Sequence, residues 1–229
     1  MFRDIVKNSD CDDVIKFDLK EAVHLIKRAD KLSTYEGSHT MKPNGFVFHE
    51  SRCGSTLAAN ALIAMEPTQN RVYSESTPPI AAIKACGLGG LRCPEGTAAA
   101  LFKDVIFLMG RTNDINENHL FFKIQSIGTK YIDIFLQAFP RTPWIFIYRN
   151  PIHVMISQLE MGANRANCVH QLRDVPKDTR QILAEMGTSV RDLNPEGRCA
   201  LHLVSVTDEN YSLESKDVIM KNLIQISCL

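Results

Sequence analysis

Hydrophobic and polar positions alternate along this chain in blocks that read as strand, loop and helix. Gly45 to His49 is mostly apolar with strand character. It is followed by a short polar turn, Glu50-Ser51-Arg52-Cys53-Gly54, and then by Ser55-Thr56 and an apolar run from Ala58 to Met65 that reads as a helix. Trp144-Ile145-Phe146-Ile147-Tyr148 is continuously apolar with β-branched and aromatic residues, the pattern of a parallel strand buried on both faces. Asn150 suits an N-cap and Pro151 the first helical position, so the spacing predicts a helix to about Gly162.

Around these two units the pattern predicts further elements. Asp18 and Glu21 form a capping-box pair for a helix to about Leu32, with Leu19, Ala22, Val23, Ile26 and Ala29 on one face. Gly37 to Gly45 reads as a loop. Arg71 to Ser76 reads as a short strand that runs into a loop at Thr77-Pro78-Pro79, and Gly87 to Gly96 as a second loop. Leu101, Val105, Leu108 and Met109 keep helical spacing from Thr97. His119 to Gln125 is a strand candidate, and Ile127, Tyr131, Ile134, Phe135 and Ala138 set out a helix to Phe139. Strands alternating with helices predict a parallel sheet with helices on its faces, and the carboxyl edge of such a sheet is where ligands bind.

Composition narrows the class without changing that picture. In 229 residues, 45% are hydrophobic and 23% charged, which suits one soluble α/β domain with a real core. Lys plus Arg equals Asp plus Glu at 26 each, so no global field recruits nucleic acid, and anion selectivity must be local. Seven Cys are scattered without metal-type pairs, and reduced thiols are the simplest expectation, with a Golgi-type disulfide as the alternative. No eighteen apolar residues run together and the first thirty residues are charged throughout, so neither a membrane span nor a signal peptide is expected, and the chain is assigned to the cytoplasm, with the Golgi as the alternative for a fragment of a longer chain.

The turn after the first strand has the makings of a phosphate cradle. Loop amides and the free N–H groups of a helix start converge there, the helix dipole adds positive charge, and Arg52, Ser55 and Thr56 supply donors. The nucleoside-triphosphate loop is absent, because His49 stands where its first Gly would be and Ser55 where its Lys would be. A cysteine phosphatase loop fails too, for want of an Arg several residues beyond Cys53.

Ser51-Arg52-Cys53-Gly54-Ser55-Thr56-Leu57 resembles the 5′-phosphosulfate loop of the sulfotransferases. Tyr148-Arg149-Asn150-Pro151-Ile152-His153-Val154-Met155-Ile156-Ser157 resembles their 3′-phosphate motif, an Arg at a strand end and a Ser eight residues later. The resemblance runs from Gly45 to Gly162 and more weakly through Arg198 to Val206. It implies a three-layer α/β fold of the P-loop NTPase-like sulfotransferase type, with residues 163–229 as a helical, incomplete C-terminal part. It also implies sulfuryl transfer from 3′-phosphoadenosine-5′-phosphosulfate to a hydroxyl or amine acceptor, with no metal. Arg52, Cys53, Gly54, Ser55 and Thr56 would hold the 5′ end of the donor, and Arg149 and Ser157 its 3′-phosphate.

Lys123, at its strand end, matches a lysine that many family members aim at the transferring group. Gln125 stands where the cytosolic branch has a His. Glu75 lies at the separation from Arg52 at which the tyrosylprotein branch carries its catalytic Glu, so it is the candidate base. His49 and His153 flank the two loops. Cys53 is either a thiol of lowered pKa near the helix start or a small residue that fits the turn. Members of the family usually continue further with a basic, Gly-containing loop, and Tyr211 to Leu229 has neither feature. A phosphate-loop kinase and a non-catalytic nucleotide-binding module remain as other readings.

Overall fold

The computed structural model describes residues 16–32, 37–86, 93–162, 166–170, 177–214 and 226–227. At its centre is β2 (Pro43–His49), hydrogen-bonded in parallel to β5 (His119–Lys123) on one side and β6 (Trp144–Tyr148) on the other. β3 (Asn70–Ser74) extends the sheet beyond β5, and the two-residue β7 (Ile226–Ser227) extends it beyond β6, giving the order β3-β5-β2-β6-β7, all parallel. A separate two-residue pair joins β1 (His39–Thr40) antiparallel to β4 (Arg111–Thr112). The stretch expected as a loop up to Gly45 therefore already contains strand residues, because Pro43 is drawn into register with Leu120.

Alternate side chains of β2 serve two layers. Phe46 and Phe48 face a cluster built with Leu120, Phe122, Trp144 and Phe146 from the neighbouring strands. α3 (Thr77–Lys84), α4 (Thr97–Met109) and α5 (Ile132–Ala138) close over that cluster. Phe46 lies at its centre, 5.2 Å from the Phe135 ring and 6.2 Å from that of Phe102, and full burial of each such ring contributes about 1.5–3 kcal/mol. Val47 faces the opposite way and packs with Ile147 and Cys53 beneath α2 (Ser55–Met65). Helices on both faces of a parallel sheet make the fold three-layered α/β, as the alternating pattern predicts.

Several elements follow from local chemistry. α1 (Leu19–Lys31) starts where Asp18 accepts from the backbone N–H groups of Lys20 and Glu21, at 2.9 and 3.0 Å. α4 stops at Gly110, where an added Cβ would meet the Met41 carbonyl oxygen at 2.4 Å, so only glycine admits that close approach. Thr77-Pro78-Pro79, expected as a loop, is instead the first turn of α3, since proline within a first turn removes only N–H groups that have no helical partner. The helix expected from Ile127 begins as a 3₁₀ segment, Ser126–Tyr131, where Gly128 sits against Ile124 and Ile80. Of the loop expected over residues 87–96, positions 87–92 lie outside the described residues.

Among the described residues after β6 lie α6 (Pro151–Leu159), α7 (Asn167–His170), α8 (Lys177–Glu185) and α9 (Pro195–Glu214), and the strand β7 interrupts the helical character expected of residues 163–229. α9 packs on α6 and α7 around Ala166, Cys168, Val169 and Cys199. The expectation of reduced thiols is overturned at four positions, because Cys86 is bonded to Cys93 and Cys168 to Cys199. The pattern of spacings hid both pairs, since the second closes 31 residues of chain and needs α7 and α9 to be adjacent. No helix among the described residues is long and apolar enough to cross a membrane.

Candidate functional site

Because the strands are parallel, β2, β3, β5 and β6 end together, and each delivers a polar residue to the same edge of the sheet. β2 ends in His49 and Glu50, β3 leads to Glu75, β5 ends in Lys123 and β6 leads to Arg149. The turn between β2 and α2 carries Arg52 at φ 66° and Gly54 at φ 90°, and Glu75 has φ 54°. Left-handed backbone costs a non-glycine residue roughly 1–2 kcal/mol, so Arg52 and Glu75 are held in their places by what surrounds them.

The two sequence motifs meet. Arg52 donates its Nε–H to Ser157 Oγ at 3.0 Å across 105 residues of chain. Ser157 in turn lines a cleft of about 290 Å³ with Arg149, His153, Ile156 and Glu160. Arg149 Nε is buried with no hydrogen-bond partner. α6 is aimed at this point by Asn150, whose side-chain oxygen accepts from the Ile152 N–H at 2.9 Å, and by Pro151 after it. α2 begins at Gly54, which has no side chain to cap it. Ser55 is buried at that start and Thr56 is exposed.

Cys53 turns inward instead. It is buried against Val47 and Ile147, and burial pushes its thiol pKa up, so of the two sequence readings the small fitting residue stands and the activated thiol does not.

A second cluster forms beside the loop. Glu75 Oε1 pairs with the Lys123 ammonium and lies 3.4 Å from His49 Nε2. Lys123 is almost wholly buried while the Glu75 side chain is 48% exposed. The neighbouring His49, followed by Lys123, holds the Glu75 carboxyl down to about 2 against the upward push of burial. His49 Nδ1 donates to the Glu50 carbonyl at 2.7 Å, because a carbonyl can only accept. Nε2 therefore donates to Glu75 only as the imidazolium, the form in which His49 lowers that carboxyl. The Glu75 backbone is pinned on both sides: its N–H donates to the Lys123 carbonyl at 2.7 Å, and Gln125 Nε2 donates to its carbonyl at 2.9 Å. Gln125 thus orients Glu75 through the backbone carbonyl.

Glu50 was not legible as a site residue. It is 2% exposed, and burial pushes its carboxyl up to about 7 despite a hydrogen bond from the Arg149 backbone N–H. Its Oε2 has no partner. A carboxylate placed directly at the end of an apolar central strand was the available signal, since such a position is buried by construction of a parallel sheet.

Among the described residues no group of three or more His, Cys, Asp and Glu side chains gathers to hold a metal ion. No family model matches the chain, and no curated protein matches it. Among solved structures it is similar to a sulfotransferase from Alicyclobacillus acidocaldarius, at 15% identity and a TM-score of 0.41, over 81% of this chain and 73% of that one.

Proposed function

We propose that this chain is a sulfotransferase, acting as a single domain, that moves a sulfuryl group from 3′-phosphoadenosine-5′-phosphosulfate to a hydroxyl or amine acceptor. The observation that carries the reading is the Arg52–Ser157 hydrogen bond beside Arg149, which joins the two phosphate motifs into one basic, hydroxyl-lined locus. The buried, unpartnered Arg149 Nε supports it further, because such a group is satisfied by an incoming acceptor of hydrogen bonds.

In this reading the donor supplies the sulfuryl group, and the chain supplies position and charge. Arg149 and Ser157 hold the 3′-phosphate. Arg52, the Gly54–Thr56 backbone and the hydroxyls of Ser55 and Thr56 hold the 5′ end. Lys123 leaves Glu75 to neutralise the bridging oxygen of the phosphosulfate as its bond to sulfur breaks and that oxygen keeps the electron pair. Glu75 takes the proton of the acceptor as the new bond to sulfur forms. At about 2, the resting Glu75 carboxyl, held down by His49 first and by Lys123 after it, is too weak a base at neutral pH, and it is armed only when both contacts relax. The two disulfides support an oxidising working compartment in place of the cytoplasm.

The test is thermal stabilisation by 3′-phosphoadenosine-5′-phosphate against 5′-AMP, which lacks the 3′-phosphate. The former should raise the melting temperature far more, and Arg149→Ala should erase the difference. Equal stabilisation by Mg-ATP would transfer the chain to the kinase reading.

A further inference from the structure

Arg149 borders two clefts. One contains Ser157; the other, of about 390 Å³, lies between α6 and α9 with Glu50 in its lining. The walls of this second cleft are apolar: Ile152 and Met155 come from α6, Leu203 and Val204 from α9. Ile152 is 60% and Val204 45% exposed, so its rim offers apolar surface to solvent. Its size is that of a small-molecule site, and such sites combine apolar walls with a few fixed polar groups.

The polar group is Glu50. Its carboxyl receives a hydrogen bond from the Arg149 backbone N–H, and Oε2 is buried with no partner. A buried carboxyl lacking a partner is costly, and the cost is removed by a donor that also brings positive charge. Among the described residues the neighbouring groups do not meet that need: His49 is turned to Glu75, the Cys53 thiol is packed under α2, and Arg149 reaches Glu50 through its backbone. We propose that the cleft between α6 and α9 binds an apolar primary amine, its ammonium on Glu50 Oε2 and its hydrocarbon body between Ile152, Met155 and Val204. Its role as the anchoring end of the acceptor, unlike the binding itself, rests on the sulfotransferase reading.

The experiment is a thermal-shift titration of the full chain at pH 8 with n-hexylamine and with n-hexanol, which share a body and differ in charge. The ammonium should lower the midpoint concentration roughly ten- to hundredfold relative to the alcohol, the range expected of a charge-assisted hydrogen bond. Glu50→Gln should bring the amine to the level of the alcohol. Ala200→Phe, which fills the cleft from an exposed wall position, should weaken both probes and serves if the Gln variant does not fold. Equal midpoints in the wild type, amine preference surviving in Glu50→Gln, or amine binding unaffected by Ala200→Phe would overturn the assignment. 3′-Phosphoadenosine-5′-phosphate titrated in parallel separates the two claims: its failure beside a positive amine result retires the sulfotransferase reading and leaves the amine site standing.

Discussion

Glu75→Gln isolates the charge cluster beside the loop. The substitution keeps the size of the side chain and removes the carboxylate that partners the buried Lys123 ammonium. In the folded chain the Glu75 carboxyl is held at about 2 against an ordinary 4.5. At ~1.4 kcal/mol per pH unit that gap corresponds to roughly 3 kcal/mol. Water screens a side chain that is 48% exposed, so about half of this, roughly 1.5 kcal/mol, is the expected contribution. The folded pKa lies below the unfolded one, so the contribution is fully present above about 4.5 and is lost as pH falls toward 2. The assay is urea denaturation of both proteins at several pH values from 7.5 down to 3. The wild type should exceed the variant by about 1–2 kcal/mol at neutral pH, and the gap should narrow steadily below pH 4.5. A gap that stays constant with pH, or no gap at pH 7, would refute the argument that His49 and Lys123 hold this carboxylate ionised.

Two further outcomes test the frame that carries the site. Cys199→Ser opens a link that closes 31 residues between α7 and α9, and should cost about 3–4 kcal/mol in denaturant. A reductant should lower the midpoint of the wild type and leave that of a variant lacking all four bonded cysteines unmoved. Phe102→Ala removes a wholly buried ring 4.4 Å from that of Phe135, and should cost about 3–5 kcal/mol, seen in a thermal scan as a fall of roughly 10 °C. A fall of only a degree or two would mean that the aromatic cluster refills the space.

The amino-acid sequence determined the elements and their edges wherever the signal was local. The helix over 97–109 and the strand over 144–148 fall where the apolar spacing predicts them, because burial of one stripe or one continuous run is the main term in forming each. The caps at Asp18 and Asn150 were equally legible, since a side-chain oxygen reaches N–H groups only two or three residues away. Alternation of such elements was enough for a parallel three-layer fold, and from it the convergence of Glu75, Lys123 and Arg149 on one edge. What the tertiary structure decided was every relation across long stretches of chain. Arg52 meets Ser157, Cys168 meets Cys199, and His49 and Lys123 both reach Glu75, through contacts that depend on how helices and strands are stacked. The protonation of Glu50 and Glu75 belongs there too. One carboxyl is raised by burial to about 7, the other is set against His49 and an ammonium and falls to about 2, and residue type alone makes them the same acid.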